Sequence, residues 1–457
     1  MKKHIQIFAY FFPFVMLFTK VSSQENRLQQ YIDSALKNNI ALQQKSISIE
    51  KAMYSLKTAK SLFQPTLAVQ GSYQTGEGGR SISFPVGDLL NPVYSTLNKL
   101  TSSNNFPQIS NVETNFFPSN FYDLRVNTVM PIYNKDIQYN KQLQQQQLEI
   151  QKTDAEAYKR ELVKNIKTAF YNYHAAMRAV TIYENGASLA NEGKKVNEKL
   201  LANGKGLPAY ILRAESEISQ LGAQMNDAQK QVESAKMYFN FLLNKGLDEH
   251  VDTTMNTAWE LQQIKQSKAF SISVSGREEI KILGNIVELN NTVLQMNKDY
   301  WYPKLNGYLN LGSQSNNWKF NQQSTYYLGG LQLDIPIFNG KRNQYKIRQA
   351  ELDKQTARNN LKQATQQLNL SANMAKNNLS ASLLNYTASQ KQLEAASAYQ
   401  RLIERGYREG VNTYIETLDA RNQLINASLL ININEFKVLI AAAELERETA
   451  SYQLQSK

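Results

Sequence analysis

The chain has no cysteine, so no disulfide, thiol nucleophile or cysteine-held metal is available, and the fold rests on packing alone. For the same reason no lipid can be attached through an N-terminal cysteine. Histidine is nearly as scarce. His4 lies in the N-terminal run, while His174 and His250 stand apart without the paired ligands a metal site needs. No catalytic constellation and no cofactor motif is present; "GEGGR" follows a strand pattern without opening a helix, which argues for a loop and against a phosphate cradle. Proline occurs only 10 times in 457 residues, which leaves room for very long helices. Beyond the N-terminus no run approaches transmembrane-helix length, and the mean hydropathy of −0.50 is too polar for a multi-span helical membrane protein. Entry into a membrane, if any, is therefore expected through strands. The formal charge is +12, but the basic residues are spread along the chain rather than gathered in a stripe with aromatics, so a nucleic-acid partner is not expected.

What is present begins with "MKKHIQIFAYFFPFVMLFTKVSSQ". Two lysines precede an apolar run from Ile5 to Phe18, and small residues follow. That is the layout of a cleavable secretory signal over residues 1–23, with the mature chain starting near Gln24. Two proline-free segments, about Asn134–Leu201 and Gly340–Arg405, are dominated by Gln, Lys, Glu, Ala and Leu. In the first, Leu162, Ile166, Phe170, Tyr173, Met177 and Val180 recur at helical spacing. Each segment would form a rod about 100 Å long, and a coiled-coil stalk is one reading of it.

Before each rod the period changes to two. In "YDLRVNTVMP", Tyr122, Leu124, Val126, Thr128 and Met130 alternate with polar residues, as Leu331, Leu333 and Ile335 do in "YLGGLQLDIP". Two more strand candidates begin at Pro65 and Pro303. Strands of about ten residues with one apolar and one polar face are the signature of a membrane β-barrel. The pattern is duplicated. Pro131-Ile132-Tyr133-Asn134 overlies Pro336-Ile337-Phe338-Asn339, and the Gly204 turn overlies the Gly410 turn. The chain therefore divides into a first repeat over residues 24–243, a connecting segment over 244–275 expected to form a small side domain, and a second repeat over 276–457. The first repeat carries an enlarged hairpin loop between Tyr73 and Tyr122, rich in turn formers.

Four strands cannot close a barrel in one chain, and an open sheet edge is not tolerated in lipid; three chains would supply twelve. At this point the halves resemble the outer-membrane factor (TolC) family, from about Leu28 to Leu454, most specifically in "PIFNGKRNQYKIRQAELDKQ" and "YREGVNTYIETLDARNQLINA". The resemblance implies a mainly α fold with β: a homotrimeric outer-membrane β-barrel of four strands per chain, continuous with a long periplasmic α-helical barrel. It also implies a passive duct for efflux or type I secretion, and not an enzyme. Its partners would be a periplasmic adaptor protein, an inner-membrane transporter and outer-membrane lipids. An exported coiled-coil structural protein without a pore is the alternative.

The resemblance places the Gly204 and Gly410 turns at the far periplasmic end of the duct. Glu416 and Asp419, three residues apart, match positions where members of that family carry a ring of acids. In a trimer such a ring would raise some of the carboxyl pKa values and favour cations. Thr413-Tyr414-Ile415-Glu416 also fits a helix capping box, and both readings of Glu416 stay open. Tyr407 matches a gate tyrosine, but Asn412 and Tyr210 stand where that gate has an arginine and an aspartate. The expectation is a looser closure by Tyr407, Tyr210 and helix packing.

Overall fold

The computed structural model describes residues 27–117, 119–266 and 272–454, so the signal-sequence expectation falls outside the described residues. In order, the elements are α1 (Arg27–Asn38), α2 (Ile40–Ser61), β1 (Thr66–Gln74), β2 (Ser81–Phe84), α3 (Val86–Thr101), β3 (Val112–Asn115) and β4 (Phe121–Tyr133). These are followed by α4 (Lys135–Ala202), α5 (Pro208–Leu242), α6 (Thr257–Gln266), α7 (Glu278–Lys298), β5 (Lys304–Asn316), β6 (Thr325–Asp334), α8 (Arg342–Arg408) and α9 (Tyr414–Glu448). The two expected rods are the 68-residue α4 and the 67-residue α8. The chain forms two compact units. One comprises the described residues up to Ser46, Asp154–Ile280 and Gln363 onward; the other comprises Ile47–Thr153 and Lys281–Lys362.

The second of these units holds an antiparallel sheet in the order β1-β4-β5-β6. Register puts residues that face each other on the same side of the sheet. Val69 pairs with Val126, Val126 with Leu311 and Leu311 with Tyr327, while Met130 reaches Leu331 across Gly307. The other side is mostly polar: Gln70 lies opposite Arg125, and Asn127 opposite Asn310. There Asp123 pairs with Arg125 at 3.1 Å and accepts a hydrogen bond from the Tyr326 hydroxyl at 2.8 Å. From Met130 to Tyr122 the apolar side runs about 27 Å along the strand at the usual strand rise. It ends in an aromatic group where Trp318 stacks on Tyr73 at 5.5 Å and on Tyr122 at 5.4 Å. Pro131 has no N–H to give the ladder, and the register with β5 shifts between Pro131 and Tyr133.

The enlarged loop is not the irregular segment its turn formers suggested. It folds into a two-stranded ribbon, β2 paired with β3, and the 16-residue α3. Asn91 and Asn98 explain how a turn-rich stretch holds a helix. Each amide makes paired hydrogen bonds with one backbone position of the returning chain, Asn91 with Ile109 and Asn98 with Phe106, at 2.8–3.1 Å. The backbone groups of an otherwise irregular strap are satisfied in this way.

The other unit is helical. Leu162, Ile166, Phe170 and Tyr173 of α4 are all buried in its core, with Leu28 and Ile32 of α1, Phe239 of α5, Leu379 of α8 and Leu439 of α9. His174 sits between Phe170 and Phe436, at ring distances of 4.9 and 6.0 Å, and burial lowers its pKa. Of the described residues in the connecting segment, Val251 and Leu261 enter the same core. A further correction concerns α9, which is long and apolar enough to cross a membrane by length and composition. Phe436, Val438, Leu439 and Leu445 of this helix are core residues, so its apolar content is explained by packing.

Candidate functional site

The two repeated turns end their helices in the same way. Gly204 and Gly410 adopt φ values of +70° and +77°, a conformation that costs any residue with a Cβ. After α4, the N–H of Gly204 donates to Leu201 O at 2.9 Å and that of Lys205 to Leu200 O at 2.8 Å. After α8, Gly410 N–H donates to Tyr407 O at 3.1 Å and Val411 N–H to Gly406 O at 2.8 Å. Both are Schellman motifs, which satisfy the carbonyls left over at a helix end. The restarts differ. Pro208, with its fixed φ, opens α5, whereas α9 opens on a complete capping box.

That box decides what Glu416 does within the protomer. Its carboxylate accepts from the Thr413 N–H at 2.6 Å, from the Thr413 hydroxyl at 3.0 Å and from the Asn412 amide at 3.3 Å. These bonds, first the one from the Thr413 backbone, hold its pKa below the ordinary value. Asn412 is therefore turned toward Glu416. Asp419 is exposed and accepts from the Gln423 amide at 2.7 Å. Tyr210 and Tyr407 do come together, but through a third ring: they pack on Tyr414 at 5.3 and 5.9 Å. Tyr414 is 1% exposed and forms a cluster with Ala214 and Leu418. The Tyr407 hydroxyl donates to Asn197 Oδ1 at 2.7 Å, and Asn197 in turn donates to Gly193 O at 2.8 Å.

Beneath this cluster lies a buried ion pair. Arg421 Nη1 meets Glu217 Oε2 at 2.9 Å, with side-chain exposures of 8% and 9%. Burial raises the Glu217 pKa, while Arg421 and, less strongly, Arg213 oppose the shift. Sequence reasoning missed this pair, Tyr414 and Asn197. A signal for the pair was available. Tyr414, Leu418, Arg421 and Ile425 fall on one helical stripe, as do Ala214, Glu217 and Leu221. A single charge of opposite sign on each of two apolar seams marks a buried pair.

Residues 31–244 and 290–451 match the model of a family described as outer membrane efflux protein. The chain belongs to this family. Solved structures agree in fold. It is similar to CusC, whose structures describe folding and transmembrane channel formation, with a TM-score of 0.76 and 17% identity over 93% of this chain and 92% of that one. The CmeC outer membrane channel of Campylobacter jejuni gives 0.73 and 16% over 93% and 85%. The open-state MtrE outer membrane channel of Neisseria gonorrhoeae gives 0.72 and 17% over 93% and 88%. No curated protein matches the chain. Membership in an efflux-protein family does not favour the pore-free coiled-coil reading.

Proposed function

We propose that this outer membrane efflux protein is the protomer of a homotrimeric duct that lets substrates out through the outer membrane. The observation that carries the reading is the four-stranded sheet, apolar on one side and polar on the other, with β1 and β6 at its edges. An apolar run of about 27 Å along the strand, tilted by the usual ~35–45°, stands about 20 Å tall, most of the band of about 25 Å expected of a barrel in lipid. The Tyr73–Trp318–Tyr122 stack supplies an aromatic border. Edges cannot face hydrocarbon, so three copies joined β6 to β1 close twelve strands, with the polar side lining the lumen. The long α4 and α8 of each copy extend the duct through the periplasm.

In this reading the chain is exported with a signal over residues 1–23. Its repeats over 24–243 and 276–457, joined by 244–275, are duplicated halves. A periplasmic adaptor protein and an inner-membrane transporter feed the duct, either as a drug-type efflux system or as a type I secretion system. The turns form its periplasmic entrance. There Tyr407 and Tyr210 close on Tyr414, and Asn412 supports Glu416. Glu416 and Asp419 together contribute six carboxylates to the trimer. Family membership and the two-faced sheet support this over a stalk without a pore. The test is native mass measurement in detergent together with conductance in planar bilayers. A trimer with discrete channel steps is expected; a monomer that keeps its β-sheet signal refutes the reading.

A further inference from the structure

The hairpin insertion holds a helix whose apolar side the described residues cover only in part. Along α3, Val86, Leu90, Val93, Leu97 and Leu100 recur at steps of four and three, the a/d spacing of a coiled-coil seam. Leu90, Val93 and Leu100 are exposed, Val93 at 51% and Leu100 at 76%, while Val86 and Leu97 are half-buried. Another face of α3 is already in use, because Asn91 and Asn98 hold the strap through Ile109 and Phe106. The charged residues Asp88 and Lys99 lie on the side opposite the seam at helical spacing. The helix is therefore held in place with Leu90, Val93 and Leu100 of its seam open, and no charge interrupts or flanks that seam.

We propose that the occupant of this seam is the same helix from the other two copies of the chain, so that three α3 helices form a short bundle over the outer mouth of the duct. This inference rests on the trimeric reading above. Three arguments select this occupant. First, the seam carries no like charges that would repel parallel copies. Second, the insertion over residues 75–120 carries three acids (Glu77, Asp88, Glu113) and two bases (Arg80, Lys99), which gives it no attraction for an anionic lipid surface; a membrane-lying helix would be rich in Lys and Arg on its polar side. Third, α3 is only about 24 Å long. Its seam cannot bury the roughly 1,200 Å² that a stable interface between free proteins needs. Copies already tethered on one barrel rim meet at effective concentrations on the order of millimolar, where so small a seam suffices.

The cysteine-free chain allows a clean test on the full-length protein in detergent. Val93→Cys and Leu100→Cys place single thiols on the seam, and Lys99→Cys places one opposite it. A short bis-maleimide should cross-link the two seam variants into covalent dimers several-fold more than the Lys99→Cys control. Native mass of the same samples reports the trimer independently. An intact trimer in which all three positions cross-link equally, or none does, overturns the bundle and leaves the duct standing. Seam positions labelled with an environment-sensitive dye that report lipid in reconstituted vesicles overturn it in favour of a membrane-lying helix. Absence of a trimer overturns both readings. The two seam positions back each other up if one variant fails to fold.

Discussion

The Arg421–Glu217 pair makes a sharp prediction about what holds α5 and α9 together near their turns. Both side chains are below 10% exposed, and their contact is 2.9 Å. The second oxygen of Glu217 has no hydrogen-bond partner among the described residues, so Arg421 is the main compensation for burying that carboxylate. Removing one member leaves the other charge buried and uncompensated, at a cost of about 3–5 kcal/mol. Removing both and filling the space with apolar groups is neutral or stabilising. Glu217→Gln and Arg421→Met should each accelerate amide hydrogen exchange in the first turns of α5 and α9 by about a hundred- to a thousand-fold or more, where reclosing outpaces exchange. The double variant Glu217→Leu with Arg421→Met should return close to the parent. Gly193 supplies a second route to the same pair. A Cβ there would meet Arg421 Nη2 at 2.8 Å, so Gly193→Ala should displace the guanidinium and reproduce part of the single-variant effect. Single variants that exchange like the parent would refute the reasoning, as would a double variant at the sum of the two singles.

Three further outcomes follow from other groups. Gly204 and Gly410 hold φ values of +70° and +77°, so Ala at either should cost about 1 kcal/mol or more, read as earlier thermal unfolding, whereas Ala at Gly222, inside α5 with open space around it, should stabilise by up to about 1 kcal/mol. Replacing Glu416 and Asp419 together by Ala should reduce cation selectivity and divalent-cation block in bilayer recordings while the trimer persists; unchanged selectivity and block would remove these acids from the pore lining. Glu279 is pushed up by burial, but hydrogen bonds from Arg277 and Arg447 bring its pKa down from 4.5 to about 2. A depressed carboxyl contributes stability above its unfolded value, and that contribution is lost as pH falls through the folded one. Melting temperature should therefore drop between about pH 4.5 and pH 2, and Glu279→Gln should flatten that slope.

The sequence revealed most where physics is local and periodic. Leu162, Ile166 and Phe170 announce their helix by spacing. The alternation from Tyr122 to Met130 announces a strand with two unlike faces, and Gly204 and Gly410 announce turns because few other residues tolerate that backbone. Three features escaped for different reasons. Helix α3 is hidden among turn formers and carries Pro92 inside it, yet Asn91 and Asn98 stabilise it through backbone groups of the returning strap. Tyr414 was passed over in favour of Tyr407 and Tyr210, since a burial at 1% exposure depends on which faces of α5 and α9 meet. Glu416 illustrates the remaining limit. Its capping role follows from a pattern four residues long and is visible in one chain. A role in a ring depends on symmetry, which no stretch of one chain contains. The two roles need not compete. A carboxylate held by Thr413 and Asn412 is fixed in position and kept ionised, and that is the state in which a ring of acids would act most strongly on a passing cation. Thr413→Ala separates them. It removes the hydroxyl side of the cap, worth about 1 kcal/mol, but leaves every acid in place. Weakened divalent block in that variant would show that the cap positions the ring, whereas block unchanged from the parent would show that Glu416 caps its helix and nothing more.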